Sequence, residues 1–258
     1  TTASNNTAVG RNAMEANTTG QQNVAVGSSS MLANTTGSYN TVVGYNALDA
    51  NTTANNGTAV GRAALTTNTT GANNTAIGMS ALEGNTTGSE SCAVGYRALT
   101  TQTGVGEVNN ALGTDALRLT TTGQANNAMG HSALENNTTA SYNTAMGHRS
   151  MTSNTTGYSN TAVGAYSLNS NTTGQENTSV GQGSLAANTT GLKMTSVGEQ
   201  SLVSNTTANY NTAVGFRALQ FSTTGGFNTS IGYEAGYSNT TGQYNTFLGM
   251  QCYGSGGT

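Results

Sequence analysis

The sequence predicts an all-β fold, a parallel β-solenoid (β-roll) of about fifteen coils with 17 residues in each coil. Three observations support this prediction. The string Asn-Thr-Ala-Val-Gly returns along the whole chain, its closing Gly recurs at a fixed interval, and the apolar residues around that Gly alternate with a period of two. So short a repeat cannot hold a pair of helices, so we expect each copy to form one coil that stacks on the next.

The repeated Gly marks the register of the array. Its fifteen copies are 17 residues apart, except that 18 residues separate Gly95 from Gly113. We therefore predict one array over residues 1–249 with a one-residue insertion near 102–106. A C-terminal cap or the start of a linker is expected over residues 250–258.

The consensus N-T-A-V-G-x-x-A-L-x-x-N-T-T-G-x-x turns into columns of like residues when coils stack. We name these columns, in order, first Asn, strand Thr, strand Ala, strand Val, strand Gly, turn Ala, turn Leu, second Asn, first loop Thr, second loop Thr and loop Gly. Stacked coils lie about 4.8 Å apart, so Asn side chains in one column can form a hydrogen-bonded ladder. Asn and Gly also tolerate left-handed backbone, so we expect them at the corners of the coil.

Two columns are predicted to form the core. Strand Thr and strand Val share one side of the strand, and the replacement of Thr by Val24 and Cys92 predicts that this side faces inward. Strand Ala should then point outward, while turn Leu supplies the second apolar column. The predicted core residues are Val9, Val26, Val43, Val60, Leu48, Leu65, Leu82 and Leu134.

Composition excludes several classes of protein. Only 34% of the chain is hydrophobic, which is too little for a conventional globular core, yet only 7% is charged and Pro is absent, unlike most disordered chains. The seven Lys and Arg residues are scattered, so no basic stripe predicts a nucleic-acid partner. No apolar run reaches the roughly 18 residues needed to cross a membrane, so we expect no membrane insertion.

The string N-T-A-V-G-x-x-A-L resembles the head repeats of trimeric autotransporter adhesins. The chain is also similar to the NTAVG/NTTG repeats of phage tail-fibre and related surface proteins, and the resemblance covers essentially all of it. It implies a β-roll in a homotrimer, on a virion fibre or a cell surface, with a cell-surface glycan or receptor as partner. The trimer contact is expected at the outward strand Ala column. Its members include Ala8, Ala25, Ala59 and Ala76.

No residue pattern predicts an enzyme or a cofactor. The ten carboxylates scatter through the repeat, and no Ser-His-Asp set or phosphate-binding Gly loop is present. His131 and His148 hold the same position in consecutive coils and could share a metal ion. No column of Cys, Asp or Glu completes a coordination sphere beside them, so we predict exposed turn residues and no metal site.

Aromatic residues crowd the C-terminal coils and can offer platforms for sugar rings. The candidate ligand-binding residues are Phe216, Tyr233, Tyr237 and Tyr244, with cap packing or a contact between chains as the alternative. We therefore expect a structural or adhesive extracellular segment, the shaft or head of a tail fibre or surface adhesin. The alternative function is ice binding through the Asn and Thr columns.

Overall fold

The computed structural model describes residues 2–104 and 108–253, and within them the chain is an all-β parallel solenoid with one short strand in each coil. It divides into two compact units, Thr1–Asn126 and Asn127–Thr258. The first unit contains β1 (Thr7–Val9), β2 (Val24–Val26), β3 (Thr41–Val43), β4 (Thr58–Val60), β5 (Thr75–Ile77), β6 (Cys92–Val94) and β7 (Asn110–Leu112). The second contains β8 (Asn127–Met129), β9 (Thr144–Met146), β10 (Thr161–Val163), β11 (Thr178–Val180), β12 (Thr195–Val197), β13 (Thr212–Val214), β14 (Thr229–Ile231) and β15 (Thr246–Leu248).

Within each unit, consecutive strands pair in parallel and in the register of the sequence repeat. In the second unit Thr161 pairs with Thr178 and Val163 pairs with Val180. In the first unit Thr58 pairs with Thr75 in the same way. The predicted fold and coil length are therefore confirmed.

The ends of two predicted features fall outside the described residues. The predicted insertion covers residues 102–106, of which 105 and 106 are not described. Of the predicted cap, residues 254–258 are likewise outside. Before them the coil continues, because Gln251 donates its backbone N–H to Tyr233 O at 2.8 Å and Cys252 O accepts from Gly236 N at 2.8 Å.

The strand columns face the opposite way from the prediction. Val9 is 57% exposed and Val43 is 40% exposed, and Val26 and Val60 are partly exposed. The buried strand residues are those of the strand Ala column, which include Ala25, Val42, Ala59 and Ala76. The prediction that strand Val forms the core was therefore wrong, and so was the outward strand Ala column.

The narrow interior of the coil explains this reversal. Strand Ala meets turn Ala directly across the coil: Ser167, in the turn Ala column, donates to Ser179 Oγ at 2.7 Å and to Ser179 O at 3.1 Å. Two columns in contact leave room for Ala or Ser, so the bulkier strand Thr and strand Val side chains occupy the outside. The turn Leu prediction is confirmed. Its buried members include Leu48, Leu65, Leu82 and Leu134.

Both Asn columns form buried ladders, as predicted. In the second column, Asn171 Nδ2 donates to Asn154 Oδ1 at 2.8 Å and to Gly174 O at 3.0 Å. In the first column, Asn143 Oδ1 accepts from the backbone N–H of Asn160 at 2.9 Å, and Asn160 Nδ2 donates to Gly174 O at 2.9 Å. These amides satisfy backbone groups that the narrow interior would otherwise leave without partners.

The left-handed backbone lies at positions other than the predicted Asn corners. It falls on the residue before first Asn, on the second residue after strand Gly and on turn Leu, where Leu48 has φ 49° and Leu65 has φ 53°. The Asn residues of the two ladder columns do not turn these corners, and their side chains point inward to the ladder, whereas other Asn residues do, such as Asn46 with φ 53° and Asn56 with φ 58°. The strand Gly prediction is confirmed: Gly164 has φ +130°, and a Cβ there would lie 2.6 Å from Gly181 O.

Near the end of the second unit, a large residue replaces strand Ala and a small one replaces turn Leu. Phe247 stands in the strand Ala column and is buried, while Gly236 replaces the turn Leu. A Cβ on Gly236 would lie 2.7 Å from the Phe247 ring and 2.9 Å from Leu219 Cδ2. The Phe247 ring therefore fills the volume that a turn Leu occupies in other coils.

Candidate binding surfaces

The outer side of the strands presents a regular pattern of hydroxyl and methyl groups in each unit. Strand Thr and strand Val side chains alternate with the buried strand Ala, and each column repeats from one coil to the next. From standard strand geometry the rows lie about 4.8 Å apart and the two columns about 7 Å apart. We call this surface, formed by the strand Thr and strand Val columns, the Thr/Val face.

The Thr/Val face is uncharged and partly apolar. Neither column contains Asp, Glu, Lys or Arg, and strand Val is always Val, Ile, Leu or Met. Several of its members are exposed to solvent although they are large hydrophobic residues: Val43, Ile77, Leu112 and Ile231. A continuous apolar column at the surface of so polar a chain is typical of an interaction surface.

Aromatic ladders border the Thr/Val face in the second unit. On the side before first Asn, Tyr210 stacks on Phe227 with 4.8 Å between ring centroids, and Phe227 stacks on Tyr244 at 5.0 Å. On the side after strand Gly, Phe216 stacks on Tyr233 at 5.4 Å. Both ladders follow from in-register stacking, which places equivalent residues of consecutive coils one above another.

The structure separates the four predicted ligand-binding residues into three clusters. Tyr244 belongs to the first ladder, and Phe216 and Tyr233 form the second. Tyr237 lies in the turn, where its ring makes an edge-to-face contact with the Phe221 ring, with 4.8 Å between the ring centroids. These residues therefore do not form one platform.

Ladder stacking also limits what the rings can offer to a sugar. The rings are nearly parallel, with interplanar angles of 16° for Tyr210 with Phe227 and 12° for Phe227 with Tyr244. Phe227 therefore uses both of its faces within the ladder and presents its edge to solvent. Tyr244 stacks through one face and is 75% exposed, so it is the ring of this ladder best placed for a sugar contact.

Charged groups lie beside the second ladder. The Arg217 guanidinium sits 4.8 Å from the centroid of Phe216, and its Nη1 lies 3.8 Å from Glu234 Oε1. Partial desolvation and the negative charge of Glu234 raise the pKa of Tyr253. The border of the Thr/Val face therefore carries aromatic and charged groups, whereas the face itself carries no charge.

The first two side chains of the Asn-Thr-Thr segment form hydrogen bonds within the solenoid. Second Asn is buried in its ladder, and first loop Thr also has a partner: Thr155 Oγ1 donates to Thr172 O at 3.0 Å, and Thr172 Oγ1 donates to Thr189 O at 3.1 Å. First loop Thr is therefore a hydrogen-bonded ladder position. The buried Asn columns cannot contact ice, which leaves the exposed Thr columns, strand Thr and second loop Thr, for an ice-binding surface.

One signal in the sequence distinguishes the inner column from the outer ones. In the second unit before β15, strand Ala contains only Ala and Ser, whereas strand Val varies among Val, Ile and Met. A column that tolerates different sizes faces solvent, and a column restricted to the smallest residues faces a neighbour. Size tolerance is therefore a sequence signal for the outer side, but over the whole column Val42 and Phe247 break it, so it does not decide the question alone.

Fold and surface together define a repeat-built β-solenoid whose outer strand columns, strand Thr and strand Val, are uncharged. Comparisons with protein-family models, with curated proteins and with solved structures found no match. Among residues 2–104 and 108–253, no helix has the length and apolar character to cross a membrane. In that same part of the chain, no three His, Cys, Asp or Glu side chains come together as metal ligands.

Proposed function

We propose that this chain is a non-enzymatic segment of an extracellular fibre or surface adhesin, and that it self-associates through the Thr/Val face. The observation that carries the proposal is the exposed apolar strand Val column, which recurs coil after coil. Burying such a column against a partner is favourable by about 25 cal/mol for each Å² of apolar surface removed from water.

A second copy of the same chain is the partner that fits this face best. Two copies share one coil period, so their strand Val rows can match at every coil. Neither column carries a charge, so copies do not repel one another as they approach. The resemblance to trimeric adhesin heads favours three copies, with the contact at strand Thr and strand Val in place of the buried strand Ala.

The bordering aromatic ladders are the proposed receptor-binding part of the segment. In the second unit they lie at the edges of the Thr/Val face, and Tyr244 retains an open ring surface. A cell-surface glycan is the proposed ligand class, because exposed aromatic rings bind the apolar faces of sugars.

The mass of the chain in solution tests self-association. We expect light scattering to give about three times the 25.9 kDa chain mass. Replacing Val163, Val180 and Val197 together by Asp should reduce the mass to that of one chain, because buried charges would face one another. The matched control places Asp at three exposed second loop Thr positions, Thr156, Thr173 and Thr190, and should leave the mass unchanged. A wild-type chain that stays monomeric at high concentration would refute the proposal.

The second candidate function, ice binding, uses the same face. Strand Thr places hydroxyl groups in regular rows beside apolar methyl groups, and the column is Thr in eleven of the fifteen copies. Thermal hysteresis with altered ice-crystal shape, from a monomeric chain, would support this function. A trimeric chain without thermal hysteresis would exclude it, since the face would then be covered.

A further inference from the structure

Two consecutive coils of the second unit carry the same rare tripeptide. Met129-Gly130-His131 and Met146-Gly147-His148 contain both His residues of the chain. They also contain the two Met residues found in the strand Val column. The coil does not require this combination, because the other coils place Val, Ile or Leu before strand Gly and many different residues after it.

In-register stacking brings these four side chains together on the outer side. Met129 and Met146 are directly paired in the parallel strands β8 and β9 and are 47% and 41% exposed. The rings of His131 and His148 stack with 5.3 Å between centroids and an interplanar angle of 24°. Alignment continues past the strands, because Arg149 donates its backbone N–H to His131 O at 2.9 Å.

The spacing allows one ion to bind all four side chains. One Gly separates each Met from its His, so their Cα atoms are at most about 7 Å apart, and adjacent rows lie about 4.8 Å apart. Two imidazoles that share an ion at about 2 Å each must bring their nitrogens within about 4 Å. Both His rings are exposed, and His148 also makes an edge-to-face contact with Tyr166 at 5.3 Å between centroids. Binding the ion requires the two His rings to tilt toward each other, and the flexible Met side chains can turn their sulfur atoms toward the ion.

The ligand types select the ion. Thioether sulfur favours Cu(I), and imidazole also suits copper, whereas Ca²⁺ and Mg²⁺ need carboxylate or carbonyl oxygen. We infer that Met129, His131, Met146 and His148 form a surface site for Cu(I) with two sulfur and two nitrogen ligands. Arg149 follows the second His but is exposed, so solvent screens its charge. Met129 and Met146 belong to the Thr/Val face, so the site is tested at chain concentrations where light scattering gives the mass of one chain, which keeps this test separate from that of self-association.

Anaerobic titration with Cu(I) against a chromogenic Cu(I) chelator tests the site. Cys92 and Cys252 are free thiols and would also bind Cu(I), so the titration uses the full chain with Cys92→Ser and Cys252→Ala. The binding variants take residues that the repeat uses elsewhere: Met129→Val with Met146→Val, and His131→Gln with His148→Gln. The matched control is Met250→Leu, which removes an exposed Met that has no neighbouring His.

We expect about one Cu(I) ion per chain, and an affinity roughly tenfold or more weaker in each double variant. The control should bind as the parent does, and Zn²⁺ should bind more weakly than Cu(I). Several results would overturn the site: no binding, unchanged affinity after loss of both Met residues, Zn²⁺ binding as tight as that of Cu(I), or one ion for every three chains. An unfolding temperature equal to that of the parent chain shows that the coils of each variant remain intact.

Discussion

At the scale of single residues, buried amides carry much of the structural specificity. Within the second Asn column, Asn171 and Asn188 each donate to the Asn of the preceding coil and accept from the Asn of the following coil, so an interruption can leave an amide oxygen without a partner. Asn205 Oδ1 is buried and has no hydrogen-bond partner, because the next residue in its column is Ser222. Ser222 Oγ is also buried without a partner. An unpaired buried polar group of this kind costs about 1–3 kcal/mol.

Completing the ladder should therefore stabilise the protein. Ser222→Asn places an amide below Asn205 Oδ1, and we expect the free energy of unfolding to rise by about 1–2 kcal/mol. The opposite change, Asn171→Ala, breaks an intact ladder and should lower it by about 2–3 kcal/mol. Urea denaturation followed by circular dichroism measures both effects, with Thr173→Ala at the exposed second loop Thr as the control. A destabilised Ser222→Asn chain would contradict the ladder explanation.

At the scale of the coil, the strand Ala and turn Leu side chains together fill an interior volume of about constant size. Most coils fill it with a small strand Ala and a large turn Leu. The coil of Gly236 and the following strand β15 reverse these sizes, since Phe247 enters from the strand and Gly236 leaves room for it. Strand and turn residues are therefore coupled across the coil, as the serine pair Ser167 and Ser179 also shows.

This coupling predicts that two harmful substitutions rescue each other. Gly236→Leu alone forces a side chain against Phe247 and should cost about 1–3 kcal/mol, and Phe247→Ala alone leaves a cavity that should cost about 3 kcal/mol. Together they restore the usual coil, so the double variant should be more stable than either single variant. Gly236 has φ +63°, close to the left-handed φ of turn Leu, so its backbone accepts the change.

Thermal unfolding of the parent, both single variants and the double variant completes this cycle. As a control, Gly236→Leu combined with Ser179→Ala, three coils away, should give additive effects. Additivity in the Gly236 and Phe247 pair as well would mean that the two residues do not share one volume.

At the scale of the whole molecule, the two sides of every strand have different roles. The inner side, mostly Ala and Ser, packs inside the coil, while the outer side, mostly Thr and Val, is the side proposed to contact another chain. Val42 and Val43 are adjacent residues of one type in β3, yet Val42 is buried and Val43 is exposed. They therefore separate the two roles within a single strand.

Asp substitution at these two positions should have opposite effects. Val42→Asp buries a charge without a partner, so we expect a loss of more than about 3 kcal/mol and a lower unfolding temperature. Val43→Asp should change the stability of the isolated chain by less than about 1 kcal/mol, but should weaken self-association. Thermal unfolding and light scattering of both variants provide the measurements. Equal destabilisation by the two substitutions would contradict the assignment of the inner and outer sides.

Much of the architecture follows from the sequence alone. The repeat length sets the coil, in-register stacking follows from a period that changes at a single interval, and the Asn and turn Leu columns identify the ladders and half of the core. These features depend on contacts between equivalent residues of consecutive coils. The period of a repeat sequence identifies those residues directly.

Only the tertiary structure decided which side of the strand faces inward. Alternation with a period of two shows that strand Thr and strand Val share a side, but both sides satisfy the same alternation. The choice depends on the distance across the coil, where strand Ala touches turn Ala, and the pattern of residue types does not give that distance. The same limit applies to Met129 and Met146. The sequence placed His131 and His148 in consecutive coils, but with strand Val assigned to the interior the two Met residues were not expected beside them on the outer side.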